Sequence, residues 1–466
     1  MFAIFSCERS SNMISHGRLK IYPLFFSICL LLPLLPACNS FQSQATTYLL
    51  SCPLASCGRR LSPYRVGYES LIKKSKLSIL SQKCDSLEPE RPDWALNWMP
   101  TWLITLRPIY QLIITVSLFF FHLKVLTQHS IAFPFQLIPN NFGYFQSIGL
   151  DSIAGIISLA GYLWLRRATK QNSNQAVPSL IDAPKRSEAP WRFSKADPRP
   201  KSTSFLASIV LLGVYSYTGR FSYFWEDFLY SMAGSGFQMT VPMHRALTVL
   251  LGHLSWVVCG GLILHLVPRP QPFFGGGQAT EETNIEDAKQ MNKDSRAKQK
   301  NNLNPVRWFT SKWNTYWLWW TLGGYFVSSW FYNLADFCNQ IFMPHYVFES
   351  SPESVVALLI NPEHNDWLAS FVGCIAPCLT APWWEEILYR GFLLPALCLY
   401  MPYGIALWIS GLIFSLHHLS AVGAIPLLVL GCTWGALYTK CGNLLVTILI
   451  HCMWNSRVFI GSWLGL

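Results

Sequence analysis

Charge is scarce in this chain. Only 13% of its 466 residues are Asp, Glu, Lys or Arg, whereas a soluble domain carries roughly 25%, which excludes an ordinary soluble globular protein. Acids are the scarcer sign, with 24 Asp and Glu against 35 Lys and Arg and a net charge of +11. That excess does not imply nucleic acid, because the basic residues lie in loops and in the N-terminal leader, not along one face or helix. Cysteine occurs 14 times but never as Cys-x-x-Cys, which removes the usual zinc-finger and dithiol frameworks. Cys374 and Cys378 have helical spacing, and buried thiols behaving as small hydrophobes account for such residues. Gly-x-Ser-x-Gly, His-Glu-x-x-His and the P-loop are also missing, so the serine-elbow, zincin and nucleotide-triphosphate readings have no motif to stand on. No internal repeat is visible.

Apolar residues are what the chain has. They make up 51% of it, with 20 Trp and 30 Phe and a mean hydropathy of +0.27. Long apolar stretches predict an all-α fold, a polytopic membrane helix bundle of about 8–9 transmembrane helices with a buried polar site. The spans fall near 104–126, 146–165, 204–231, 244–266, 314–336, 366–383, 402–418, 424–439 and 443–463. Two polar stretches, 166–203 and 267–312, read as flexible loops within an N-terminal transmembrane region, 96–312, since low hydrophobicity and high charge do not support a core. Both are basic, while 337–365 carries Glu349, Glu353 and Glu363 without Lys or Arg, which is a positive-inside pattern. Ahead of the spans, residues 1–40 have a signal-peptide shape, and 41–95 begin Ser-, Arg- and Lys-rich and acid-poor, like a transit peptide. With Phe41 near the junction, this resembles the bipartite plastid leader of algae with complex plastids. The expected location is therefore an integral plastid or chloroplast membrane, with the endoplasmic reticulum membrane as the alternative.

Three polar clusters interrupt the apolar sequence near the C-terminus: Glu385-Glu386-x-x-x-Arg390, Phe414-x-x-x-His418 and His451-x-x-x-Asn455. Ionisable groups inside a bilayer are costly, so each marks a functional site by default. Glu386 and Arg390 share a helix face, whereas Glu385 is turned about 100° away. One carboxylate can thus stay ionised as a base while the arginine holds the other. His417, beside His418, points elsewhere and reads as interfacial. His451 and Asn455 present an imidazole and an amide to one groove. Two arrangements remain open. Glu385, His418 and His451 can hold a divalent metal such as zinc, or His451 and Asn455 can donate to an oxyanion. Trp383 and Trp384 stand next to the glutamates as a candidate wall.

These motifs, in this order, on "APWWEEILYRGFLLPAL", "LIFSLHHLS" and "LLVTILIHCMWNSRVF", resemble the CPBP intramembrane proteases, relatives of the CAAX prenyl endopeptidase and of bacteriocin-processing and immunity proteins. The likeness covers roughly residues 364–466. The run "WLWWTLGGYFVSSWFYNLADF" also looks like the plant and algal plastid members, which extends the protease-like region to 313–466. The resemblance implies a membrane endopeptidase, a hydrolase in which Glu385, Glu386, Arg390, His418, His451 and Asn455 form the catalytic set. Its partners would be a membrane-associated protein or peptide substrate and the lipid bilayer, with no nucleic acid. The rival reading is a catalytically silent scaffold or chaperone for plastid membrane proteins.

Overall fold

The computed structural model describes residues 100–132, 147–170, 184, 189–193, 199–268, 273, 307–344, 347 and 355–466. The leader and transit-like segments predicted over 1–40 and 41–95 lie outside these residues. One compact unit, Ile14–Leu106, is described only at its end, where Thr101–Ile104 makes a helical turn. The other unit runs from Arg107 to the C-terminus, together with Met1–Met13, and holds everything below.

Helix follows helix in that unit: α1 Pro108–Phe121, α2 Leu150–Lys170, α3 Arg199–Ser216, α4 Thr218–Gly234, α5 Val241–Leu266, α6 Leu318–Phe342 and the short α7 Val355–Ile360. They are followed by α8 Trp367–Leu397, α9 Tyr403–His417, α10 Ala424–Cys441 and α11 Leu444–Trp463. Between α1 and α2, β1 Ser130–Ala132 pairs antiparallel with β2 Ser147–Gly149, a small departure from the all-α expectation. Among the described residues, five stretches are long and apolar enough to cross a membrane: Pro108–Leu126, Val241–Leu266, Trp367–Leu397, Ala424–Cys441 and Leu444–Trp463. Leu150–Leu165 and Tyr403–His417 are apolar but shorter. Leu212, Val258, Leu262, Leu412 and Leu416 are exposed, as expected for faces turned to lipid, which solvates them as well as a core does. The protein is an integral membrane helix bundle.

Two elements differ from the sequence expectation. The stretch 204–231 is not one span, because the chain turns at Tyr217 and begins α4 at Thr218. Thr218 and Gly219 are poor helix formers at the break, and α4 carries Arg220, Glu226 and Asp227 beyond it. The two polar stretches also contribute to the core. Arg192 and Arg307 exchange backbone hydrogen bonds at 2.7 and 2.8 Å, and Trp191, Phe273 and Trp308 are buried. Trp308 and Phe273 lie 5.4 and 6.0 Å from the Phe392 ring. Average hydrophobicity hid these aromatics, two of which dock on Phe392.

Helix α6 packs against α2, α10 and α11, while α5 packs against α3, α4 and α8. Buried side chains secure the helix starts. Gln111 of α1 accepts from the backbone N–H groups of Trp317 and Leu318 at 2.9 and 3.0 Å, which satisfies donors that a helix leaves open at its first turn. Asn443 does the same for Leu445 at 3.2 Å and also holds the Lys312 backbone through bonds of 2.8 and 2.9 Å. Gly411 and Gly431 let α9 and α10 touch. A Cβ at Gly431 would stand 2.8 Å from the Gly411 Cα, the close approach that small residues permit between membrane helices.

Candidate active site

Helix α8 is built irregularly around its glutamates. The turns Ala376–Thr380 and Ile387–Leu393 are π-helical and flank Ala381–Glu386. Such wide turns are rare and concentrate at functional sites. Pro382 explains part of the first one. In π register its N–H would meet the carbonyl of Pro377, but proline has none. Asn455 fills the vacancy from α11, donating Nδ2–H to the Pro377 carbonyl at 2.7 Å.

The other motif residues meet below that turn. Glu386 is fully buried, and its Oε1 accepts from Arg390 Nη1 at 2.8 Å. Arg390 Nη2 donates to the Gly431 carbonyl at 3.1 Å. The guanidinium lies 4.7 Å from the Phe414 ring centre and 5.4 Å from that of Trp434, so it is neutralised on one side and caged by aromatic faces on the others. The same Glu386 oxygen lies 3.0 Å from His451 Nδ1. A carboxylate only accepts, so Nδ1 carries the proton, and Nε2 of the neutral ring is left as an acceptor. His418, immediately after α9, repeats the pattern. Its Nδ1 lies 2.8 Å from the Phe414 carbonyl, so it too donates there and keeps Nε2 open.

Both Nε2 atoms face Glu385. Each stands 3.9 Å from its Oε2, beyond hydrogen-bond reach, and that oxygen is buried with no protein partner. Three acceptor atoms therefore surround a gap with no donor among them. A water with two protons suits it: placed about 2.8 Å from atoms 3.9 Å apart, it would subtend close to a right angle. The donor set is also of zinc type, a carboxylate and two imidazoles. Ligands about 2.0–2.2 Å from a tetrahedral zinc stand roughly 3.4 Å apart, closer than these pairs. Among the described residues no group of three His, Cys, Asp or Glu side chains is placed to hold a metal ion.

The structure thus brings Glu385, Glu386, Arg390, His418 and His451 together and gives Asn455 the Pro377 carbonyl as partner. His417 is not interfacial as expected but buried. Its ring centre lies 4.2 Å from that of Tyr215 on α3, and its carbonyl accepts from the Tyr215 hydroxyl at 2.9 Å. Asn339 of α6, fully buried, donates to the Val422 carbonyl at 2.6 Å and so pins the loop that begins at His418. Trp384 is buried against Trp256 of α5, ring centres 6.0 Å apart. Tyr215 and Asn339 lay outside every motif, and only contact across helices identifies them.

Replacing Asn455 with Leu should lower stability, not chemistry alone, because the Pro377 carbonyl would lose its donor, a loss typically of about 1–3 kcal/mol. Thermal unfolding in detergent measures it. Adding Pro382→Ala supplies a backbone N–H to the same carbonyl, so the double variant should recover most of the loss. No recovery would disprove this account.

Residues 367–457 match a family model described as Rce1-like, type II CAAX prenyl endopeptidase Rce1-like. The match contains every motif residue from Glu385 to Asn455 and agrees with the CPBP resemblance, so this part of the chain is similar to a membrane endopeptidase family. No curated protein and no solved structure matches the chain.

Proposed function

We propose that the protein is an intramembrane endopeptidase that hydrolyses a peptide bond with water activated by Glu385. One observation carries this reading: the buried Glu385 Oε2 faces two imidazole Nε2 atoms across gaps of 3.9 Å with no donor between them. Water in that gap gives one proton to Glu385 as its oxygen attacks the carbonyl carbon, and the histidines hold and orient it. The carbonyl becomes a tetrahedral alkoxide. The C–N bond then breaks, and the amine leaves with the proton that Glu385 took. Glu386 does not serve as base. Arg390 neutralises it, and its role is to fix the proton of His451 on Nδ1. Asn455 acts on the backbone of α8, so its contribution is to hold the turn before Glu385.

The family description names CAAX prenyl endopeptidases, and a farnesylated peptide with a CAAX-type C-terminus is the first substrate to try. The experiment compares its hydrolysis by the purified protein and by Glu385→Gln, with the result argued in the Discussion.

We place the protein in a plastid membrane on the strength of the leader, where Arg18 and Lys20 precede the apolar run "IYPLFFSICLLLPLLPAC" and an acid-poor stretch follows. Residues 1–95 fused to a fluorescent protein should direct it to plastids. Fluorescence confined to the endoplasmic reticulum or plasma membrane would overturn the placement.

A further inference from the structure

Helix α9 ends at the histidine that faces Glu385, and that ending is held in part by helices α3 and α6, which precede the matched segment beginning at residue 367. A helix leaves the carbonyls of its last turn without N–H partners, and inside a membrane bundle an open carbonyl is costly. Here each finds a donor. The Phe414 carbonyl accepts from His418 Nδ1 at 2.8 Å. Those of Ser415 and Leu416 accept from the backbone N–H groups of His418 and Leu419 at 3.1 and 3.0 Å. That of His417 accepts from the Tyr215 hydroxyl of α3 at 2.9 Å. His418 is thus both the cap of α9 and a residue of the site.

The chain then turns at Leu419, whose φ is +51°. The place just past a helix end commonly takes this left-handed conformation, and glycine usually fills it, because a Cβ there crowds the following carbonyl. The other described non-glycine residues with positive φ are His364 and Asn365, types that adopt it more readily. The Leu419 side chain is 54% exposed, so its own packing does not hold the strain. The residues that follow are held instead. Ser420 Oγ accepts from the Gly423 N–H at 3.0 Å, and Ser415 Oγ donates to the Ala424 carbonyl at 2.6 Å. Between them, Asn339 of α6 donates to the Val422 carbonyl at 2.6 Å. Asn339 is fully buried, and its Oδ1 has no hydrogen-bond partner among the described residues, so the bond to Val422 is what its amide does there.

We infer that Asn339 and Tyr215 are positioning residues for His418. They clamp the strained turn from either side of it and so keep its Nε2 at 3.9 Å from Glu385 Oε2. With the clamp released, Leu419 relaxes toward negative φ, and the imidazole leaves its place opposite the carboxylate. Both residues act through His418, not on the substrate. The inference rests on the endopeptidase reading, which gives His418 its part in holding the water.

The test compares Asn339→Leu and Tyr215→Phe with the unaltered protein in cleaving the farnesylated CAAX-type peptide. Each should lower kcat about 10- to 100-fold with little change in KM, the scale on which a small misplacement acts. Adding Leu419→Gly to Asn339→Leu should recover most of kcat, because glycine takes the left-handed turn without being held there. Adding Leu419→Ala should not, because alanine keeps the Cβ. A purely structural role would lower yield and unfolding temperature, leave kcat per folded molecule unchanged and make glycine and alanine equivalent, and that result overturns the inference. Hydrogen exchange reads the clamp without catalysis. The backbone N–H groups of His418 and Leu419 should exchange about tenfold faster in both single variants, as for the loss of one good hydrogen bond, and unchanged exchange also overturns the inference. If the unaltered protein leaves the peptide uncut, the substrate class of the proposed function fails, and exchange alone decides the clamp.

Discussion

Glu385→Gln should abolish nearly all hydrolysis, by roughly 10²–10⁴-fold in kcat, the usual worth of a general base, while the protein accumulates and inserts as before. Stability should hold or rise slightly. The amide keeps a hydrogen-bonding group facing the two Nε2 atoms across the 3.9 Å gaps while removing a charge from a buried position. Opposite signs on activity and stability are characteristic of a site arranged for chemistry at the expense of satisfied hydrogen bonds. Cleavage of the farnesylated peptide measures the first, and thermal unfolding in detergent the second. Complementation of a deletion strain extends the test to the unknown natural substrate. If Glu385→Gln restored the wild-type phenotype in full, the protease reading would give way to a membrane scaffold that keeps the fold without the reaction.

The residues that meet at the gap were legible because each is an expensive group in an apolar run. Glu385, Glu386 and Arg390 cannot be there for hydrophobicity, and neither can His418 or His451. The i to i+4 spacing of Glu386 and Arg390 gave their pairing directly. What the sequence hid was relational. Asn455 looks like a site ligand until Pro382 is seen to leave the Pro377 carbonyl without its N–H. His417 looked interfacial because helical phase turns it away from His418, but α3 brings Tyr215 against it. The helix count suffered in a similar way. Composition alone joined α3 to α4 through Tyr217. It also assigned Trp191, Phe273 and Trp308 to flexible loops, since a window average cannot register a few aromatics that dock on Tyr438 and Phe392.

Arg390→Ala should act on folding before it acts on catalysis. Arg390 and Glu386 are 1% and 0% exposed, joined at 2.8 Å. Without the guanidinium, the carboxylate keeps only the His451 Nδ1–H at 3.0 Å, an unpaired charge in the core of a bundle. Breaking a buried pair from one side typically costs about 3–5 kcal/mol, and losing a large side chain packed against Phe414 and Trp434 adds a cavity. The protein should therefore accumulate poorly and unfold at a clearly lower temperature. Arg390→Lys should rescue little, because an ammonium cannot span Glu386 and the Gly431 carbonyl as the guanidinium fork does at 2.8 and 3.1 Å. The informative variant is Arg390→Ala combined with Glu386→Gln. Removing the orphaned charge should return part of the lost stability even though a second native residue has been changed, and that non-additivity isolates charge from packing. Activity should stay low in the double variant, because an amide at 386 no longer fixes the His451 proton on Nδ1. An Arg390→Ala protein as abundant and heat-stable as the wild type would mean that Glu386 is neutralised by something other than this arginine.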